Sequence, residues 1–364
     1  NESKIEQMAI YCESVAKLPN PSGNILNATR LDIGLELYKV TCPIGVILMI
    51  FESRPDAVIQ ISALGLKSGN AIILKGGKEA VFSNRILVKL LRETIKTISD
   101  PSVNSISLVE TRVEVDVLIK SNSYLDLIIP RGSYQMVQKI QSKSQIPVLG
   151  HSDGICHVFL DNEGDESKSM AVVLDSKLNY PSVCNSLETL LVHEYFPDSC
   201  LASILSSLQE AGVELRVCSK TKKRLKSYKS LILKKAVDLD WKTEYVDLII
   251  SVKSVKSATE AVMHINNFGS KHTDSIVTEN KELAEWFLNT VDSAGVYWNA
   301  STRFADGFRY GLGAEVGVSN GKIHARGPVG LEGLVTYKYK LYGNGQGVGD
   351  YSSGKREFIH EKIK

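Results

Sequence analysis

Residues 45–55 read Gly-Val-Ile-Leu-Met-Ile-Phe-Glu-Ser-Arg-Pro, and this stretch decides the fold class. The unbroken apolar run predicts a strand buried on both faces, because a half-exposed strand would alternate polar and apolar residues. Pro55 then opens a helix that ends at Gly69, since proline favours the start of a helix and glycine the position after its end. A buried strand followed by a helix is the unit from which parallel α/β sheets are built.

The same strand and helix unit recurs through the first half of the chain. Further strands are predicted at residues 71–74, 105–109, 125–129 and 146–149. We therefore expect a parallel sheet with helices on both faces. Ligands of such sheets bind at the carboxyl ends of the strands, so the loops that follow the strands are the candidate binding loops.

A second α/β block begins at His157, with helices and strands alternating as far as Trp298. Two other stretches, residues 25–42 and 334–341, have the period of half-exposed strands. A strand with an exposed edge needs a cover, and we interpret both stretches as parts of a subunit interface.

Composition restricts the classes of function. The net charge of +2 provides no basic field for nucleic acid, and no apolar stretch approaches the roughly 20 residues that cross a bilayer. The 6 cysteines and 7 histidines lack metal-ligand spacing, and a reducing intracellular compartment fits such cysteine usage. The first residue is Asn1, so we expect the chain to be part of a longer product, and the choice between cytoplasm and mitochondrion stays open.

Cys184 is the candidate nucleophile. It lies between a Tyr180-Pro181 break and the apolar run 187–193. We expect a loop-to-helix position, which lowers the pKa of a thiol and populates the thiolate that attacks acyl carbons. The alternative is a buried, unreactive cysteine.

Two loops at predicted strand ends are suited to phosphate groups, although the chain has neither GxGxxG nor GxxxxGK[ST]. Residues 75–78 read Lys-Gly-Gly-Lys, where the glycines let the backbone approach a ligand and the ammonium groups attract a phosphate. Residues 130–133 read Pro-Arg-Gly-Ser at a predicted helix N-terminus, which suits a pyrophosphate. Each loop alone is also compatible with an ordinary turn, but two on one sheet favour a dinucleotide.

Specific motifs are spread over nearly the whole chain. They are residues 43–46, 51–55, 74–79, 130–133, 147–156, 255–276, 298–304, 311–317 and 324–328. Together they resemble the aldehyde dehydrogenase superfamily and, more narrowly, the gamma-glutamyl phosphate reductase family. The match is at least as close to the reductase half of bifunctional delta-1-pyrroline-5-carboxylate synthases, so a fused or associated glutamate 5-kinase is a further partner to consider.

The resemblance implies an aldehyde dehydrogenase-like α/β fold with three parts. Residues 1–24 and 43–156 would form an atypical Rossmann domain that binds NADPH or NADP, and residues 157–320 a catalytic domain. Residues 25–42 and 334–364 would form a small β hairpin for oligomerisation, giving a homodimer or a higher oligomer.

The resemblance also implies roles for single residues. Cys184 matches the catalytic cysteine, and Asn185 or Ser53 would complete the oxyanion hole, unless a backbone N–H does. Lys75 matches a lysine at the adenosine ribose or its 2′-phosphate, and Glu244 a glutamate at the nicotinamide ribose. The remaining predicted cofactor contacts are Gly76, Gly77, Lys78, Arg131, Gly132 and Ser133.

The implied reaction is the reduction of L-glutamyl 5-phosphate to L-glutamate 5-semialdehyde and phosphate, through a cysteine thioester, in proline biosynthesis. Oxidising aldehyde dehydrogenases carry a thioester-hydrolysing glutamate where this chain has Val148, which cannot take a proton. The anionic substrate predicts contacts in the glycine-rich C-terminal region. They are Asn299, Ser301, Thr302, Arg303, His324 and Arg326.

Two other hypotheses remain. In the first, the chain would be an oxidising NAD(P)-linked aldehyde dehydrogenase. In the second, it would be a non-catalytic assembly module of a bifunctional enzyme. Val148 argues against the first, and replacement of Cys184 tests the second.

Overall fold

The computed structural model describes residues 2–52, 55–98, 104–150 and 153–364. The chain folds into two compact units. The first consists of Asn1–Gly150, Gly311–Gly317 and Val329–Lys364. The second consists of His151–Tyr310 and Val318–Pro328.

Helices and strands alternate through most of the described chain. The helices are α1 (Glu2–Lys17), α2 (Asp56–Lys67), α3 (Val81–Thr97), α4 (Arg112–Leu118), α5 (Tyr134–Lys143), α6 (Glu166–Leu178), α7 (Asp198–Glu210), α8 (Ser219–Arg224), α9 (Ala258–Phe268), α10 (Lys281–Thr290) and α11 (Val348–Ser352). The strands are β1 (Ile25–Asp32), β2 (Leu35–Pro43), β3 (Val46–Phe51), β4 (Ala71–Lys75), β5 (Ile106–Leu108), β6 (Leu127–Arg131), β7 (Cys156–Leu160), β8 (Leu187–His193), β9 (Glu214–Val217), β10 (Leu233–Lys235), β11 (Ile249–Val255), β12 (Thr273–Val277), β13 (Gly295–Trp298), β14 (Gly317–Ser319), β15 (Gly327–Val329), β16 (Val335–Tyr342) and β17 (Glu361–Lys362).

The first unit contains the predicted parallel sheet, in the order β5-β4-β3-β6. Strand β3 lies at the centre, and its residues after Val46 are buried, as the unbroken apolar run predicts. The prediction of a strand at residues 146–149 is wrong. Only Val148 pairs there, in a single parallel bridge to Ile128. Pro147 has no N–H to extend that ladder.

An antiparallel sheet of order β16-β2-β1-β17 completes the first unit. The stretch 25–42 forms a hairpin, because the chain turns back between β1 and β2 at Gly34, whose φ of +72° suits glycine. Strand β16 lies at the outer edge of this sheet, and all of its residues after Val335 are exposed.

The second unit is built on a seven-stranded parallel sheet of order β10-β9-β11-β8-β7-β12-β13. All residues of β7 and β8 are buried, so these strands form the centre of its core. Helices and strands alternate between His157 and Trp298 as predicted, except that β8 follows Cys184 where a helix was expected. The elements α6, α8, β9 and β10 were not predicted individually. Among the described residues, no helix is both long and apolar enough to cross a membrane.

Candidate active site

Cys184 lies in the turn between α6 and β8, and its side chain is partly exposed. The predicted loop-to-helix position is therefore wrong, because the apolar run after Cys184 is a fully buried strand. A short apolar run fits a buried strand as well as a buried helix, and its length of 7 residues is typical of a strand. No helix begins at Cys184, so a helix dipole does not act on this thiol.

The backbone of Cys184 packs against the segment that leads into β7. A Cβ atom on Gly154 would lie 2.1 Å from the carbonyl oxygen of Cys184 and 2.4 Å from its Cα, so only glycine fits there. The Cys156 thiol donates a hydrogen bond to the same carbonyl oxygen over 3.3 Å. Burial raises the pKa of Cys156 far above its usual range, which keeps this thiol protonated as a donor.

Replacing Gly154 by Ala is expected to displace the Cys184 turn. The added methyl group has no room, so we expect a loss of about 1–3 kcal/mol in the free energy of unfolding and a changed rate of Cys184 alkylation by iodoacetamide. Urea unfolding and mass spectrometry of the alkylated protein measure both. Gly321→Ala is the matched control, because its Cβ would meet only Ser319 Oγ at 3.6 Å; equal effects of the two variants would contradict the close approach at Gly154.

The predicted residues 301–303 lie against the Cys184 turn. The Thr302 hydroxyl donates to the carbonyl oxygen of Asn185 over 2.7 Å, and the Asn185 amide donates to the carbonyl oxygen of Ala305 over 2.8 Å. Ser301 caps the short 3-10 turn Thr302–Phe304 by accepting from the Arg303 N–H. The structure therefore brings Asn185, Ser301, Thr302 and Arg303 together beside Cys184.

Arg303 is the charged member of this group, and only 8% of it is exposed. Burial lowers the pKa of Arg303, the neighbouring Arg309 lowers it further, and Cys184 raises it more than any other group does. Within the described part of the chain, Nε of Arg303 has no hydrogen-bond partner. A buried cation beside a thiol, with an unused donor, suits an anionic ligand.

The other predicted substrate contacts lie elsewhere in the second unit. The Asn299 amide donates to the carbonyl oxygen of Thr278 and accepts from its N–H, each over 3.0 Å. Its hydrogen bonds therefore hold the backbone at Thr278. The Arg326 guanidinium is 3.1 Å from Asp292, and His324 is exposed. Burial raises the pKa of Asp292, but hydrogen bonds from Lys322, Lys271 and Arg326 outweigh it and lower the pKa to about 2.

The sequence analysis missed a buried ion pair next to the Cys184 turn. Lys177 and Glu188 are fully buried, and their Nζ and Oε2 atoms are 3.0 Å apart. A glutamate inside the apolar run 187–193 was the available signal for such a pair. The predicted cofactor residue Glu244 is half-buried, and its charge contributes to the raised pKa of Glu188.

The first predicted phosphate loop follows β4 in the first unit. Lys75 ends β4, and Lys78 starts a short 3-10 turn that leads into α3. A Cβ atom on Gly76 would lie 2.1 Å from Asn84 Nδ2, so a larger residue there would have to displace the Asn84 side chain. A cavity of about 230 Å³ is lined by Gly76, Gly77, Lys78, Val81, Asn84, Leu108, Val109 and Glu110. Burial lowers the pKa of Lys75, and the positive charges of Arg112 and Lys78 also lower it.

The second predicted phosphate loop joins β6 to α5. Ser133 is the N-cap residue of α5, as the sequence predicts, but its N–H donates to the Glu52 carboxylate over 2.9 Å. A Cβ atom on Gly132 would meet the same carboxylate at 2.5 Å. Arg131 pairs with Glu315 over 3.4 Å. Glu52 thus occupies the helix N-terminus that a pyrophosphate would use, while Ser53 lies outside the described residues.

No cluster of three or more His, Cys, Asp and Glu side chains in the described ranges is arranged to hold a metal ion. The partly exposed Cys184 and the buried Arg303 support the chemistry of a thiol nucleophile beside a cation. Such a thiol attacks an acyl carbon, and the cation holds an anionic part of the acyl compound.

Comparisons with curated proteins and with solved structures agree on one family. A comparison with protein-family models finds no match. The gamma-glutamyl phosphate reductase of Acetivibrio thermocellus is 50% identical over 363 residues, which cover 100% of this chain and 83% of that relative. The gamma-glutamyl phosphate reductase of Haloquadratum walsbyi is 51% identical over 366 residues, covering 99% of this chain and 79% of the relative.

Solved structures confirm the predicted fold class. The crystal structure of gamma-glutamyl phosphate reductase from Thermotoga maritima superposes with a TM-score of 0.91 at 40% identity, covering 95% of this chain and 83% of that one. An acetylating aldehyde dehydrogenase from Geobacillus thermoglucosidasius shares the fold alone, with a TM-score of 0.66 at 17% identity, covering 95% of this chain and 89% of the other. At half identity over its whole length, the chain belongs to the gamma-glutamyl phosphate reductase family.

Proposed function

We propose that this chain reduces L-glutamyl 5-phosphate to L-glutamate 5-semialdehyde and inorganic phosphate, with NADPH as the reductant, in proline biosynthesis. The observation that carries the proposal is the partly exposed Cys184 beside the buried Arg303, in a chain half-identical to named reductases.

The thiol of Cys184 is the nucleophile. Its thiolate attacks the acyl carbon, a C–S bond forms, the C–O bond to the phosphate breaks, and inorganic phosphate leaves. A nicotinamide cofactor, when bound, supplies the hydride that reduces the thioester. The C–S bond of the resulting thiohemiacetal then breaks, which releases the aldehyde and returns the thiolate of Cys184.

Arg303 binds an anionic group of the substrate in this proposal. Its guanidinium is buried beside Cys184, and Nε is available as a donor. The Thr302 hydroxyl and the Asn185 amide support the turn itself, since both donate to backbone carbonyl groups. One hydrogen of the Asn185 amide remains for the developing oxyanion. His324 and Arg326 stay predicted contacts of the outer substrate groups.

Lys75 and Lys78 support the choice of NADPH over NADH. Both lie in the loop after β4, and Arg112 adds a third positive charge near Lys75. A cluster of cations at a strand end suits the 2′-phosphate that distinguishes NADPH from NADH. The cavity of about 230 Å³ beside this loop is smaller than the roughly 300 Å³ of a full ligand pocket, so it would hold one end of the cofactor.

The exposed edge of β16 supports a homodimer. Tyr337, Tyr339 and Leu341 on this strand are 48%, 60% and 57% exposed. A long edge strand with exposed aromatic and aliphatic side chains can pair with another strand, and we propose that a second copy of this chain covers it. Association with a glutamate 5-kinase stays a prediction.

Oxidation of the semialdehyde by this protein is expected to require phosphate. In the reverse direction phosphate must attack the thioester, because Val148 offers no base to activate water. Without a general base we expect turnover of semialdehyde and NADP⁺ to fall about 10²-fold or more when phosphate is omitted. NADPH absorbance measures this, with sulfate at equal ionic strength as the control. Turnover independent of phosphate would instead support an oxidising aldehyde dehydrogenase.

A further inference from the structure

The Lys177–Glu188 pair encloses the turn that carries Cys184. Lys177 lies in the last turn of α6, and Glu188 is the second residue of β8. Both side chains are 0% exposed, and Nζ donates to Oε2 over 3.0 Å. The residues between them, 178–187, include Cys184. The pair therefore ties together the two ends of this turn.

The pair lies in the apolar core of the second unit. Side chains alternate along β8, so Glu188 shares a face with Leu190 and Val192, which pack with residues of α6 and α7. Burial raises the pKa of Glu188 to about 7 and lowers the pKa of Lys177. Apolar residues in place of a buried ion pair often give equal or greater stability. Stability alone therefore does not account for the pair.

Glu188 also reaches a second segment. Its Oε1 atom accepts from the N–H of Val246 over 3.4 Å, and Val246 has a left-handed φ of 57°. Glu244 lies two residues before Val246, and its charge acts on Glu188. One carboxylate thus contacts both the end of the Cys184 turn and the loop that carries Glu244.

We propose that Lys177 and Glu188 are positioning residues that fix the Cys184 turn relative to the Glu244 loop. They would set the distance between the nucleophile and the groups that hold the nicotinamide ribose. This inference rests on the roles proposed above for Cys184 and Glu244.

The decisive variant is the double replacement Lys177→Met/Glu188→Leu. It removes both charges together, so neither is left buried without a partner, and we expect urea unfolding close to that of the wild type. We expect kcat to fall about 10²-fold, since a misplacement of about 1 Å has that effect, and the KM for NADPH to rise. Glu188→Gln keeps the shape and one hydrogen bond, so its loss of kcat is expected to be smaller.

Two controls separate positioning from stability. Lys220→Met removes the ion pair with Glu194 that lies just beyond the other end of β8, where both side chains are partly exposed. Leu205→Ala destabilises the same core, in which Leu205 is 0% exposed. Below their unfolding transitions, both controls are expected to keep the wild-type kcat and KM.

The rate of Cys184 alkylation by iodoacetamide, followed by mass spectrometry, is the readout independent of turnover. We expect the double variant to differ from the wild type in this rate, while both controls match the wild type. A double variant that folds and keeps kcat, KM and alkylation within about twofold would overturn the inference. Activity that survives Cys184→Ala would overturn the proposed function instead, and the alkylation comparison distinguishes the two failures.

Discussion

Replacing Cys184 by Ala is expected to reduce kcat for L-glutamyl 5-phosphate by about 10⁴-fold or more, because the proposed thioester forms on this thiol. The loss should occur without unfolding, since the turn is held through backbone groups of residues 184 and 185 rather than through the thiol. Oxidation of NADPH, measured by its absorbance, follows the reaction, and urea unfolding tests the fold.

Cys218→Ser is the matched control for this variant. Cys218 is also a partly exposed cysteine of the second unit, and its sulfur accepts from the Thr221 N–H as the N-cap of α8. Serine is a good N-cap residue, so both fold and activity should persist. If Cys184→Ala keeps the flux from L-glutamyl 5-phosphate to semialdehyde, Cys184 is not the catalytic nucleophile.

The parallel sheets were predictable because their central strands are unbroken apolar runs. Strands β3 and β4 begin and end within one residue of the prediction, since a strand buried on both faces leaves no polar alternation. Strands β9 and β10 have 4 and 3 residues with charged side chains among them, so no periodic pattern is long enough to detect.

The candidate site was predictable where its residues belong to a recognisable motif, and not where they meet through packing alone. The motif 301–303 lies beside Cys184 as expected, because the 3-10 turn places Ser301 and Thr302 against the Cys184 segment. The Lys177–Glu188 pair depends on how α6 packs on β8, which no local pattern encodes. The Glu52 carboxylate at the N-terminus of α5 depends likewise on the pairing of β3 with β6.

Replacing Arg303 by Met is expected to lower kcat/KM for L-glutamyl 5-phosphate by about 10²- to 10³-fold, mainly through KM. Loss of one partner of a buried, hydrogen-bonded charge pair costs about 2–5 kcal/mol, and about 1.4 kcal/mol corresponds to tenfold. Steady-state kinetics with varied substrate measure the change. Arg303→Lys keeps the charge but not the planar donor pair, so we expect an intermediate loss.

The stability of Arg303→Met against urea should be equal to or greater than that of the wild type, although its kcat/KM falls. Without substrate, Arg303 is a buried cation whose Nε has no partner among the described residues, and burying such a group opposes folding. Met removes that cost, so Arg303→Met should unfold at an equal or higher urea concentration.

Arg224→Met provides the contrast to Arg303→Met. Arg224 donates to Asp198 and to the carbonyl oxygen of Phe196, so its loss should lower stability and leave KM unchanged. Loss of a structural arginine therefore lowers stability and leaves KM unchanged, whereas loss of a substrate-binding arginine raises KM and does not lower stability. If Arg303→Met loses stability and keeps its KM, Arg303 supports the fold and another cation binds the substrate.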